Sequence, residues 1–124
     1  MKSFNSVECS SKQQGFTFVH NISCGENVST AHIDKELFSV FILFSGEMDY
    51  IIEGKRIHLL PQDILIVGNN ELHRCVFRKD LECEYALLMI NLDFFVKHNC
   101  IELSNMFFNR ALGCNNIVPC DKVV

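Results

Sequence analysis

Residues 32–77 read HIDKELFSVFILFSGEMDYIIEGKRIHLLPQDILIVGNNELHRCVF. Within this stretch, residues 38–44 (FSVFILF) form a continuous apolar run with β-branched members. That run is too short for a globular helix and reads as a strand buried on both faces. Ser45-Gly46-Glu47 then turns the chain, and residues 48–52 place Met48, Tyr50 and Ile52 on one face of the next strand. Glu53-Gly54-Lys55 is a second turn with a hairpin signature. Residues 56–60 and 64–67 flank Pro61-Gln62-Asp63, and the Gly68-Asn69-Asn70 cluster breaks the chain before a strand over 72–77. The whole reads as two hairpins of a small β-barrel. His32 and His73 stand at its ends, where such a barrel keeps an internal site.

Working outward, residues 16–22 (FTFVHNI) alternate Phe16, Phe18 and His20 against Thr17, Val19 and Asn21, as a first strand does. Residues 24–27 read as a turn, and residues 84–92 (EYALLMINL) as the last clear strand. Residues 1–15 are polar and are expected to form a flexible N-terminal arm, with the barrel spanning 16–92. Beyond residue 92 the composition changes. Asp93 is placed to cap a short helix running through Phe94, Phe95 and Val96, and residues 104–112 read as another, with Gly113 as its stop. Short strands at regular spacing followed by brief helices give a mainly β fold, an antiparallel barrel or jelly roll with short C-terminal helices.

The chain has 124 residues, of which 48% are hydrophobic, enough for one domain with a packed core. Its formal charge is −4, and its basic residues are scattered among turns and strand starts, so no stripe can neutralise a run of phosphates. The N-terminus lacks the apolar run of a signal peptide, and no segment has membrane-spanning length. The seven cysteines include no Cys-x-x-Cys pair, and their odd number without an export signal fits reduced thiols in a cytoplasmic protein. Cys75 and Cys83 lie in or beside strands and read as small buried hydrophobes. The sequence contains no Gly-x-Ser-x-Gly elbow, phosphate-cradling glycine loop or dinucleotide fingerprint.

Taken together, His32, the run ending in Ser45-Gly46-Glu47, Tyr50, Gly54, the Leu59-Leu60-Pro61-Gln62-Asp63 segment, the 64–67 strand and His73-Arg74 resemble, in order and spacing, the cupin sensing domain of AraC-type bacterial transcription regulators. Gln62 stands where that family usually has glycine. The similarity extends over roughly residues 16–118, since Asn91-Leu92-Asp93-Phe94-Phe95 and Ile117-Val118-Pro119 match the family's short helix and the aliphatic pair after it. The resemblance implies a cupin-like barrel that binds a small-molecule effector. It also implies that residues 93–124 lead towards dimerisation helices and a helix-turn-helix region beyond Val124. The full-length protein is then expected to be a homodimer, touching DNA through that C-terminal region alone and no membrane.

Catalytic cupins offer the alternative. Their metal-site pattern, laid on this chain, aligns histidines with His32 and His73, but Asp34 replaces another histidine and Ser39 replaces the glutamate. A stand-alone metal-dependent isomerase or dioxygenase would use His32, Asp34 and His73. The sensor reading expects no catalytic activity, no metal and no cofactor. It needs an apolar pocket with a few convergent polar groups. Strand alternation from Ser39 brings Phe41 and Leu43 inward, and Tyr50 lies on one wall with His73 and Cys75 on another. The candidate ligand contacts are therefore His32, Asp34, Ser39, Phe41, Tyr50, His73 and Cys75.

Overall fold

The computed structural model describes residues 6–11, 15–24, 27–28, 33, 35–78, 80–108 and 110–118. Their strands are β1 (Ser6–Ser11), β2 (Phe16–Cys24), β3 (Asn27–Val28), β4 (Leu37–Ser45), β5 (Met48–Ile52), β6 (Lys55–Leu59), β7 (Ile64–Val67), β8 (His73–Phe77), β9 (Glu82–Asn91) and β10 (Ile117–Val118). They pair antiparallel into two sheets, a six-stranded one in the order β1-β2-β9-β4-β7-β10 and a four-stranded one in the order β3-β8-β5-β6. The 38–44 run sits in β4, between β9 and β7, and is largely apolar on both faces because Phe41 and Leu43 pack in the interior while Phe38 and Val40 meet the C-terminal segment outside.

Two turns depend on the left-handed backbone. Gly46 has φ +89°, and a Cβ there would come within 2.5 Å of the Glu82 carbonyl oxygen and 2.7 Å of Cys83 Sγ. Glu53 (φ 50°) and Gly54 (φ +80°) join β5 to β6 with the φ > 0 pair that suits the twist of a two-residue hairpin. Gln62 is also left-handed, at φ 76°, which gives a physical reason why a glycine would suit that position.

The inward faces of the sheets meet in one core of Phe41, Leu43, Met48, Tyr50, Ile52, Leu59, Leu65, Val67, Phe77 and Cys83. At about 1.5–3 kcal/mol for each large apolar side chain, this cluster is the principal stabilising element. A second cluster lies on the outer face of the six-stranded sheet, where Phe38 and Ile66 meet Phe95 and Phe107 from the C-terminal segment. That segment comprises α1 (Leu92–Lys97), a 3-10 turn (Ile101–Ser104) and α2 (Asn105–Phe108). No helix among the described residues is long and apolar enough to cross a membrane.

Several local expectations are corrected. Within residues 1–15, Ser6–Ser11 pair with β2 as a strand. Asn91, not Asp93, is the N-cap of α1, and its side chain makes no capping bond; Asp93 lies in the first turn. Of the helix expected over 104–112, Asn105–Phe108 form the single turn of α2, directly after the 3-10 turn that ends at Ser104, and residues 110–113 are not helical. Gly113 does take a left-handed φ of +70°, but it terminates no helix. The chain after it returns to the sheet as β10, against β7.

Candidate functional site

Register places the candidate side chains together. Tyr50 lies opposite Cys75 and Ile52 opposite His73 in the four-stranded sheet, so Tyr50, His73 and Cys75 share the inward face. Ser39 lies between Val67 and Met89 in the six-stranded sheet, on the same face as Phe41. Leu43, Met48, Leu59 and Cys83 at one end are fully buried, whereas Ser39, His73 and Cys75 towards the other are half-buried beside the fully buried Ile52 and Val67, and Tyr85 and Leu87 are half-buried between them. His32 and Asp34 lie outside the described residues.

An aromatic stack fills the space between these ends. Phe41 lies 5.1 Å from Tyr50, edge to face, and 5.1 Å from Tyr85, nearly parallel. Tyr85 meets Phe77 at 5.5 Å, and the Tyr50 ring lies 6.5 Å from His73 at an interplanar angle of 25°. Phe41 and Tyr50, named as contacts, are therefore also core residues, with relative exposures of 2% and 6%. Burial pushes the Tyr50 phenol well above its ordinary pKa, with Cys75 and Tyr85 adding to the effect, so its hydroxyl stays protonated and available as a donor. The Tyr85 phenol is raised by the same burial, against a hydrogen bond with Asn21.

Two polar details orient this interior. His73 Nδ1 lies 2.9 Å from the Glu71 carbonyl oxygen, which can only accept, so the ring carries a proton on Nδ1. Asn21 Nδ2 donates to the Tyr85 hydroxyl at 3.0 Å, while Asn21 Oδ1 is buried with no partner among the described residues. Asn21 was not among the sequence candidates. Its only signal there was membership of the Thr17-Val19-Asn21 face of the first strand, which turns out to be the inward one, with Asn21 opposite Tyr85.

Of the residues that would hold a metal, His73 alone is described, and no group of three His, Cys, Asp or Glu side chains among the described residues could hold an ion. Cys83 is fully buried and donates to the Glu47 carbonyl at 3.3 Å.

Two ionic clusters were not legible from sequence. On the outer face of the four-stranded sheet, Asp49 is 4% exposed, hydrogen-bonded by Arg56 and by His58 Nδ1 at 2.7 Å, with Arg78 at 3.6 Å. Burial alone would raise the Asp49 pKa, but the His58 and Arg56 hydrogen bonds and the Arg78 charge outweigh it and lower it. At the end of the barrel, Glu71 is fully buried in the loop between β7 and β8. Its carboxylate accepts from Arg110 Nη1 (2.8 Å) and Nη2 (2.5 Å), from Gly68 N–H (2.7 Å) and from Gly113 N–H (2.7 Å). Burial opposes the charge, yet Arg110 and the two backbone donors lower the Glu71 pKa to about 2.

Neither a family model nor a curated protein matches the sequence. Solved structures do match the fold. The chain is similar to a predicted oxalate decarboxylase from Thermotoga maritima, with TM-score 0.64 and 16% identity over 72% of this chain and 81% of that one. It is similar to a Cupin 2 conserved barrel domain protein from Salinispora arenicola, with TM-score 0.63 and 11% identity over 77% and 82%. It also matches the Cupin_2 domain of an XRE family transcriptional regulator from Enterobacter cloacae, with TM-score 0.58 and 15% identity over 70% and 95%. At these identities the likeness concerns the fold, an antiparallel cupin β-barrel.

Proposed function

We propose that this chain is the effector-binding domain of an AraC-type transcription regulator, taking a small molecule inside the barrel and catalysing no reaction. The observation that carries this reading is the buried, unpartnered Oδ1 of Asn21 beside the Tyr85 hydroxyl, on an inward face that also carries Val19, Leu43 and Leu87. An orphaned buried acceptor costs about 1–3 kcal/mol, which a hydroxyl or amide donor on a bound molecule would recover. The Tyr50 phenol, held protonated, and the His73 ring supply further polar groups on the facing sheet, and Ser39 and Cys75 lie on the same inward surface. His32 belongs to the proposed ligand set through the family resemblance, and Asp34 through its place in the catalytic-cupin pattern laid on this chain.

In the full-length protein the domain would act as a homodimer in the cytoplasm, with DNA held by a C-terminal helix-turn-helix region. The Enterobacter cloacae likeness supports this reading, because it places the same fold in a regulator. The Thermotoga maritima likeness favours a second one, a metal-dependent enzyme using His32, Asp34 and His73.

A thermal-shift screen against sugars, fatty acids, bile acids and amino-acid derivatives, with divalent metals in parallel, separates the two. A metabolite at a hundredfold its dissociation constant adds roughly 2.7 kcal/mol, moving the midpoint by several degrees. A metabolite shift that disappears in Tyr50→Ala and weakens in Asn21→Leu supports the sensor. A shift with metal alone, lost in His73→Ala, overturns it in favour of the enzyme.

A further inference from the structure

Glu71 faces two ways. Its main-chain carbonyl accepts the Nδ1 proton of the half-buried His73 at 2.9 Å. Its carboxylate, fully buried, holds the C-terminal segment through Arg110 and the Gly113 N–H, with Asn116 Nδ2 at 3.3 Å from both oxygens. Asn116 in turn donates from Nδ2 to the Ile66 carbonyl (2.9 Å) and accepts the Ile66 N–H at its own carbonyl (2.8 Å), which fixes the start of β10 against β7.

A second thread runs beside the first. The Leu72 N–H donates to Glu53 Oε2 (2.6 Å), and the Glu53 N–H to the Leu72 carbonyl (2.8 Å). Gly113 packs so closely on this hairpin that a Cβ would fall 2.9 Å from that of Glu53. The loop carrying Glu71 and the segment 110–116 are therefore joined at two points. The joint also holds two orphaned buried atoms, Arg110 Nε and Asn116 Oδ1, unpartnered among the described residues.

We propose that Glu71 couples the barrel interior to residues 110–118, so that a change at His73 is passed through the Glu71 main chain to its carboxylate and on to Arg110, Gly113 and Asn116. This rests on the sensing reading, for which it names the route by which occupancy leaves the barrel. The physical basis is that a buried carboxylate held by a bidentate guanidinium and backbone donors cannot shift gradually. Its hydrogen bonds are directional and its carboxylate is fully buried, so the set moves together or breaks, giving the discrete alternatives that coupling requires. A ligand drawing the His73 ring towards Tyr50, 6.5 Å away, competes with the Glu71 carbonyl for its orientation. The loop and the C-terminal segment then respond.

The test needs no ligand, so its outcome is separate from that of the thermal-shift screen. Amide hydrogen exchange is followed by NMR at Gly68, Gly113 and the β4–β9 ladder in the wild type, His73→Phe, His73→Ala and Glu71→Gln. His73→Phe keeps a ring at the position while removing the Nδ1 bond. Both His73 variants are expected to speed exchange at Gly113 by about three- to tenfold, the worth of one such hydrogen bond, with the β4–β9 amides changed by less than about twofold. Glu71→Gln is expected to free Gly113 and to abolish any further effect of His73→Phe in the double variant. Exchange at Gly113 that stays at the wild-type rate in both His73 variants overturns the coupling, whatever Glu71→Gln does. A rise spread equally over the β4–β9 ladder also overturns it, because the effect would then be global loosening.

Discussion

Replacing Glu71 with glutamine gives the sharpest test of how the end of the barrel is held. The Glu71 carboxyl is lowered from 4.5 to about 2. At 1.36 kcal/mol per unit, that difference is worth about 3 kcal/mol of folding stability at neutral pH. A second route gives a similar figure. Removing one partner of a buried ion pair costs about 3–5 kcal/mol, and the Arg110 side chain is 4% exposed, so its charge would be stranded. The sign follows from the lowered pKa: the contribution is complete above the unfolded value of 4.5 and is lost as pH falls towards 2. Urea unfolding at pH 7 should place Glu71→Gln about 3 kcal/mol below the wild type, and the gap should shrink steadily between about pH 4.5 and pH 3. The double variant Glu71→Gln/Arg110→Met should recover part of the loss, because it removes the stranded charge. A pH 7 gap under about 1 kcal/mol, or one that stays constant down to pH 3, would refute the reasoning.

Two further outcomes follow from the left-handed turns. Gly46→Ala should cost well over the roughly 1 kcal/mol that Gly54→Ala costs, since the first meets Glu82 and Cys83 and the second meets open space; equal losses in urea midpoint would contradict the contact. Gln62→Gly should raise stability by up to about 1 kcal/mol, because Gln62 sits at φ 76°, and a lower thermal midpoint would show that its side chain does more than tolerate the turn.

The strands from β4 to β9 were readable because each carries a period of two, or a largely apolar run, between polar turns, two of them built on Gly46 and Gly54. Facing followed from the same alternation, so Ser39, Phe41, Tyr50, His73 and Cys75 fall to one interior from sequence alone. The strand β1 was not readable, because Ser-Val-Glu-Cys-Ser-Ser has no sustained alternation, and β3 and β10 are too short to leave a pattern. The ionic clusters failed for a different reason. Asp49 alternates with Met48 and Tyr50 and so lies on the outward face, but nothing local announces that Arg56, His58 and Arg78 cover it. Glu71 looked like part of a polar loop, because its partner Arg110 lies far along the chain. Charge pairing at that separation leaves no periodic trace. Asn21 was visible only as one face of an alternating strand, and which face turns inward depends on β9 lying beside it.

The strand order has a consequence for how the protein is made. β5 and β6 are joined by a tight turn and can pair as soon as both are synthesised. β2 cannot find its main partner so early, since Phe18 aligns with Leu88, roughly 70 residues later. At about 5–20 residues per second, β2 waits on the order of 4–14 s for β9 to emerge from the ribosome. β9 then enters between β2 and β4 and joins two halves of a sheet already in existence. A nascent chain stalled before residue 82 would carry β2 and β4 each with the edge that β9 covers left open, a surface for chaperones to hold. Release of the β9 segment is the moment at which β2 and β4 can be joined in one sheet, to which β10 is added at the edge of β7.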